Sequence, residues 1–204
     1  VISNNFSNDD DVKFLLDRHT ALPALIGRHE DFLIVAGLSN TTKDVAALTG
    51  DGDHTFGLGG AMGGACMFGL GLALAQPQKR VLVVTGDGEM LMGMGSLATI
   101  AVHNPPNLSI VCVDNGHYEE TGHQPSHTSQ GVRLDKIADG AGIRNIRVVT
   151  READIPDAAR AVRAGGGTAF VVLRVKSGDG PSCKRNMQPA ACRLRFRAAL
   201  LGTR

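Results

Sequence analysis

The sequence predicts an α/β protein, a doubly wound and mostly parallel sheet with helices on both faces. Two observations carry that expectation. Five short apolar, β-branched runs (residues 31–36, 80–85, 107–113, 145–149 and 168–175) read as strands buried on both faces. Between them lie segments with helical spacing (42–48, 61–75, 89–103, 134–142 and 152–164), and such alternation builds parallel sheets whose ligands sit at the carboxyl ends of strands.

Residues 10–26 read as a first helix whose length Pro23 limits or which it kinks. DFLIVA is the first strand. RVLVVT ends in Gly86-Asp87-Gly88 and passes straight into a helix, and the strand ending in SIVCV runs into Asp114-Asn115-Gly116. The loops after Thr85 and Val113 are therefore the places to seek a site. From Ser177 the pattern breaks into SGDGPSCKRNMQP, followed by an arginine-bearing helical segment at 189–201. This divides the chain into a domain, 1–176, and a tail, 177–204. The tail either covers the domain or contacts another chain. Its basic end, 184–204, reads equally as a solvated face.

The chain has 204 residues, 43% of them hydrophobic, enough for one substantial core. Lys+Arg (21) and Asp+Glu (20) nearly cancel, so no long-range field marks it for nucleic acid or an anionic membrane. The four cysteines, Cys66, Cys112, Cys183 and Cys192, form no CxxC pair, which suits a reducing compartment. The first eleven residues are polar and acidic, and no run of eighteen apolar residues follows. A soluble cytoplasmic protein is the expectation. Of the 26 glycines, 13 cluster between Gly50 and Gly95, where they permit close backbone approach to a helix or a ligand.

Gly86-Asp87-Gly88 places a carboxylate at a strand tip, with the first amides of a helix facing the same point. Asn115 brings a carboxamide oxygen to the tip of the next strand. A carboxylate, a carboxamide and a nearby main-chain carbonyl are hard oxygen ligands suited to Mg²⁺ and, through it, to a diphosphate. Each tripeptide alone is an ordinary turn former. The two together, each after a buried strand, favour the metal reading.

These motifs resemble the GDG and downstream NN signature of the diphosphate-binding domain of thiamine-diphosphate-dependent decarboxylases. The resemblance implies that Asp87 and Asn115 hold Mg²⁺ through their side chains and His117 through its carbonyl, while the amides of Gly88 and Glu89 approach the diphosphate. Gly86 and Tyr118 fall among the cofactor contacts by the same likeness. Asp114 stands where the family usually has a first Asn, which alters only the neighbouring hydrogen bonds. The block from Gly57 to Gly63 is similar to the segment that grips the aminopyrimidine ring. Gly60 would offer its carbonyl to the ring, and Met62 would prop the cofactor into its bent form, although an ordinary core methionine is the alternative. The block lacks the third glycine of a dinucleotide fingerprint. Asn40, Thr41 and Thr42 resemble a polar segment that touches the diphosphate, and a solvated helix N-cap accounts for them equally well.

Within the family, the likeness is to phosphonopyruvate decarboxylase and the β subunit of sulfopyruvate decarboxylase. It runs from about Ser39 to Ile143 and includes Thr121-Gly122-x-Gln124-Pro125. His117, Glu119, Glu120, His123 and His127 match no common zinc spacing and read as a hydrophilic loop. Because that loop begins at the metal ligand, Glu120 and Thr121 are candidates to face the substrate. The family starts its chemistry with a glutamate on a separate pyrimidine-binding domain, and this chain has room for the diphosphate half alone. The resemblance thus implies a β-type subunit that decarboxylates a 3-substituted pyruvate with an α-type partner, as a dimer or tetramer. The alternatives are an acetolactate-synthase-like carboligase subunit and a non-catalytic or regulatory cofactor-binding subunit.

Overall fold

A computed structural model of the chain describes residues 14–202. The acidic first residues, and the opening of the helix expected at 10–26, lie outside that range. Six strands form one sheet: β1 (Phe32–Ala36), β2 (Thr55–Gly57), β3 (Arg80–Gly86), β4 (Leu108–Asp114), β7 (Asn145–Val149) and β8 (Ala169–Arg174). Their order is β2-β1-β3-β4-β8-β7, and every neighbouring pair is parallel. β5 (His117–Tyr118) and β6 (Gln124–Pro125) make a small antiparallel pair beyond the end of β4.

The side-chain alternation of these strands feeds two cores. Ile34, Leu82, Val84, Val111 and Val171 point to a face covered by α1 (Arg18–Ile26), α2 (Asn40–Thr49) and α7 (Ile155–Ala164). Leu33, Val35, Val83, Ile110 and Val172 point to the other face, covered by α3 (Ala65–Ala75), α5 (Ser96–His103), α6 (Leu134–Ala141) and α8 (Pro189–Leu201). Both faces are covered over the central strands β1, β3, β4 and β8, which carry continuous apolar runs, while the edge strands β2 and β7 are only partly buried. The chain leaves β1 for β2 on one side and reaches β3 and β4 on the other. The crevice between β1 and β3 is therefore the switch point at which α/β sheets bind ligands.

The fold agrees with the class expected, and four elements differ from the sequence reading. Among the described residues the first helix begins at Arg18, where Asp17 caps it by accepting from the His19 amide at 2.8 Å, and Leu16 makes a parallel bridge to Val175. Pro23 lies inside this helix without ending it. The helix expected at 61–75 starts only at Ala65, since Gly60 and Gly63 hold positive φ (81° and 85°) in a loop. The helix expected at 89–103 is two, α4 (Asp87–Met92) and α5, parted at Gly93–Gly95. The short strand β2 gave no periodic signal at three residues. In the tail, α8 packs against β2, and Phe196 enters the second core.

Candidate functional site

The carboxyl ends of β1, β3 and β4 open into one cavity of about 280 Å³. Asn40, Thr41, Met62, Gly86, Asp87, Gly88, Glu89, Asn115, His117, Tyr118, Glu120 and Thr121 all line it. Thr42 and Gly60 line an adjoining cavity of about 460 Å³ that shares Leu38, Ser39, Glu120 and Thr121 with the first. Twelve of the residues singled out from sequence thus meet at one place, and the other two stand beside it.

The register explains the meeting. Gly86 pairs with Val113, so Asp87 and Asp114 leave adjacent strand tips side by side. Asp87 is 2% exposed. Burial raises its pKa above the ordinary carboxylate value, while hydrogen bonds from Ser126 and Thr128 pull the other way. Its Oδ2 accepts from the Ser126 hydroxyl, and Thr128 Oγ1 lies 3.2 Å from it. Asp114 is fully buried. Its Oδ1 faces Thr128 Oγ1 at 2.6 Å and accepts from the Gly116 amide at 3.2 Å. Its Oδ2 is 3.7 Å from Nε of the buried Arg174. Burial, and then the negative charge of Asp87, push its pKa up to about 7. Where the family usually has Asn, this chain thus places a second carboxylate, turned inward onto the segment 126–129.

Asn115 Oδ1 accepts from the His117 amide at 3.1 Å, a local turn that fixes the carboxamide at the cavity wall. Tyr118 lies against the Gly86–Gly88 turn so closely that a Cβ at Gly88 would sit 2.3 Å from its ring. Asn40, Thr41 and Thr42 open α2 and are buried, at 7%, 3% and 8% exposure, with the Thr41 and Thr42 hydroxyls donating to the Leu38 and Ser39 carbonyls at 3.0 and 2.7 Å. Met62 is half-buried at the cavity wall and belongs to neither core. In the loop after Asn115, the rings of His117 and His123 stack at 4.6 Å. Among the described residues, no group of three or more His, Cys, Asp or Glu could hold a metal ion.

Sequence reasoning missed the roles of four residues here. Ser126 and Thr128 orient Asp87 from a segment with no motif of its own. Arg18 lines the cavity from α1, held in a two-pronged contact by Asp44 (3.1 and 2.5 Å). Glu119 turns inward, accepting from Asn40 Nδ2 at 2.5 Å and Ser177 Oγ at 2.9 Å, so it ties the loop to α2 and to the tail. Only the proximity of the loop to Asn115 hinted at such a role.

A buried carboxylate and a carboxamide at neighbouring strand tips, over a cleft with a glycine-rich wall, stand where open α/β sheets bind ligands. Residues 54–173 match the family model for the thiamine pyrophosphate enzyme, C-terminal TPP binding domain, and the chain belongs to that family. It is 37% identical over 169 residues to phosphonopyruvate decarboxylase of Streptomyces viridochromogenes, covering 82% of this chain and 42% of that protein. It is 30% identical over 185 residues to sulfopyruvate decarboxylase subunit beta of Methanococcus maripaludis, covering 91% of this chain and 98% of that subunit. The chain therefore spans less than half of the first relative and nearly all of the second. A solved thiamine diphosphate-dependent 4-hydroxybenzoylformate decarboxylase from Rhodococcus jostii superposes with a TM-score of 0.65 at 21% identity, over 86% of this chain and 36% of that one. That likeness establishes the fold. The family read from GDG and DNG is borne out. No helix among the described residues is long and apolar enough to cross a membrane.

Proposed function

We propose that this chain is the diphosphate-binding subunit of a thiamine-diphosphate- and Mg²⁺-dependent 2-oxoacid decarboxylase. With an α-type pyrimidine-binding partner it acts on a 3-substituted pyruvate, phosphonopyruvate or sulfopyruvate, giving an aldehyde and CO₂. The observation that supports this most is the pairing of Asp87 and Asn115 at adjacent strand tips over one cavity.

The residues present fit the group. Asp87, Asn115 and the His117 carbonyl would offer Mg²⁺ the hard oxygen ligands it favours. The hydroxyls of Ser126 and Thr128 hold the Asp87 carboxylate in place, the outer support that metal ligands usually have. Gly88 and Glu89 offer amides to the diphosphate, while Asn40 and Thr41 line its flank. Gly60 and Met62 stand at the other end for the ring. Bound there, thiamine diphosphate supplies an electron sink for the pair released when the substrate carboxylate leaves as CO₂. Glu120 and Thr121, which border both cavities, face the substrate.

A partner is supported by the outer surface that runs from α3 through α5. Met67, Leu74, Met92, Met94 and Val102 are exposed there, Val102 at 84%. The partner supplies the glutamate that activates the ring. A cytoplasmic setting is supported by four free cysteines, three of them buried.

Calorimetry on Asp87→Ala tests the ligand assignment: the fold is retained, and Mg²⁺-dependent binding of thiamine diphosphate is lost. Unchanged affinity refutes it. Reconstitution with a pyrimidine-domain partner and a screen of 2-oxoacids tests the reaction. An aldehyde product supports it, a longer hydroxyketone points to a carboligase, and full decarboxylation by the chain alone removes the two-subunit reading.

A further inference from the structure

Three arginines line the two adjoining cavities, and two of them are spent on carboxylates. Arg18 is held by Asp44 through Nε and Nη2. Arg195 reaches Asp51 through both Nη groups. Arg185, half-buried in the wall of the larger cavity, has no carboxylate within ion-pair distance among the described residues. Its Nη1 donates to Thr42 Oγ1 and its Nε meets Met187 Sδ at 3.1 Å, so Nη2 keeps its hydrogens without a partner among the described residues. The segment that carries Arg185 is fastened to α2 and the turn after it. Cys183 Sγ lies 3.5 Å from the Lys43 carbonyl, and the Asn186 amide donates to Asp51 at 2.9 Å. Thr42 belongs to the first turn of α2, next to Thr41 at the cofactor cavity. The guanidinium is thus held in place by neutral partners, with its charge uncancelled.

We propose that Arg185 is a specificity-determining residue that receives the anionic 3-substituent, phosphonate or sulfonate, of the 2-oxoacid. This rests on the thiamine-diphosphate decarboxylase reading above. The two cavities share Leu38, Ser39, Glu120 and Thr121, so a substrate at that border has the cofactor cavity on one side and the cavity of Arg185, about 460 Å³, on the other. An acid whose carbonyl meets the cofactor places its third carbon toward the space that Arg185 lines. Glu120 at the border is negative, and the charge of Asp51 is already answered by Arg195, so an oxyanion is repelled at the border and attracted at the far wall. A guanidinium meets such a group with paired N–H donors and keeps its charge at every working pH. A neutral group on the third carbon gains nothing from it.

The test uses the holoenzyme reconstituted with a pyrimidine-domain partner, Mg²⁺ and thiamine diphosphate, assayed on phosphonopyruvate, sulfopyruvate and pyruvate, the last of which lacks the anionic group. Arg185→Met keeps the length of the side chain and removes its charge. Its kcat/KM for the better of the two anionic acids is expected to fall about 10- to 100-fold, mainly through KM, as a charge-assisted contact is lost. For pyruvate the change is expected to stay under about threefold. Arg185→Lys restores the charge without the planar fork and is expected to fall between, which keeps the test open if the first variant fails to fold. Calorimetry gives a readout free of turnover: 3-phosphonopropionate, which has no carbonyl to react, is expected to lose affinity in Arg185→Met in the same proportion, and propionate is not. Equal loss on charged and neutral acids, or no loss on either, overturns the inference. Wild-type holoenzyme that prefers pyruvate to both anionic acids also overturns it and leaves the cofactor reading standing. Holoenzyme that decarboxylates none of the three overturns the functional reading, and this inference with it.

Discussion

The Gly93 backbone lies against the Gly63 carbonyl so closely that a Cβ on Gly93 would sit 2.4 Å from that oxygen. This contact parts α4 from α5 and seats the loop bearing Gly60 and Met62 against the start of the α4–α5 connection. Backbone cannot yield as a flexible side chain does, so Gly93→Ala is expected to destabilise the fold by about 1–3 kcal/mol. Gly140, inside α6, would have nothing within 4 Å of an added methyl, and Gly140→Ala is expected to stabilise by about 0.5–1 kcal/mol. Denaturant melts of the two variants check the contrast.

Thr128 stands between two carboxylates, 2.6 Å from Asp114 and 3.2 Å from Asp87. Thr128→Val keeps the shape and removes the hydroxyl, leaving buried acceptors short of a donor at a cost of about 1–3 kcal/mol. Melts should show the loss, and titration with Mg²⁺ and thiamine diphosphate should show weaker binding as Asp87 loses part of its support. Unchanged affinity would mean that Ser126 alone orients Asp87.

The tail is tied to the domain by Arg195, whose two Nη groups reach Asp51 at 3.0 and 2.9 Å. Hydrogen bonding by Arg195 holds the Asp51 carboxyl below its ordinary value. Because the folded pKa is depressed, this contribution is fully present above the unfolded value, about 3.9, and is lost as pH falls through the lower folded value. Both side chains keep about a quarter of their surface exposed, so the pair is worth about 0.2–1 kcal/mol. Arg195→Ala should therefore melt slightly below wild type near neutral pH, and the gap should close in strong acid.

Leu74 and Val102 are exposed on helices that pack side by side. Leu74→Glu and Val102→Glu should leave the melting temperature of the isolated chain within about 2–4 °C, since surface changes of this kind cost little. Together they should abolish capture of a pyrimidine-domain partner in size-exclusion chromatography. Retained complex formation would place the partner elsewhere.

The central strands β1, β3, β4 and β8 were legible because they are buried on both faces and so write apolar runs, whereas 145–149, also read as doubly buried, is the edge strand β7, half-buried along all but its last residue. The cavity was legible because glycine and short oxygen-bearing residues have few reasons to follow such runs in succession. Less could be read where structure depends on contacts distant in sequence. The break at Gly93 comes from Gly63, which lies well upstream beyond a whole helix and strand, and the sequence around Gly93 reads as unbroken helix. β2 is too short to show a period. Ser126 and Thr128 carry no motif, and only the fold brings their hydroxyls to Asp87. Arg18 reads as an ordinary helix residue in the sequence, and only its pairing with Asp44 sets it beside the cavity.

α8 packs against β2, one of the two edge strands, on the sheet face it shares with α3, α5 and α6. Phe196 and Phe56 meet there, with ring centroids 5.8 Å apart. The helix thereby covers the apolar ring that this edge of the sheet would otherwise present to other molecules, as edge strands often require. Shortening the chain before Pro189 would strip that cover, and self-association, more than loss of the cofactor cleft, would be the first consequence.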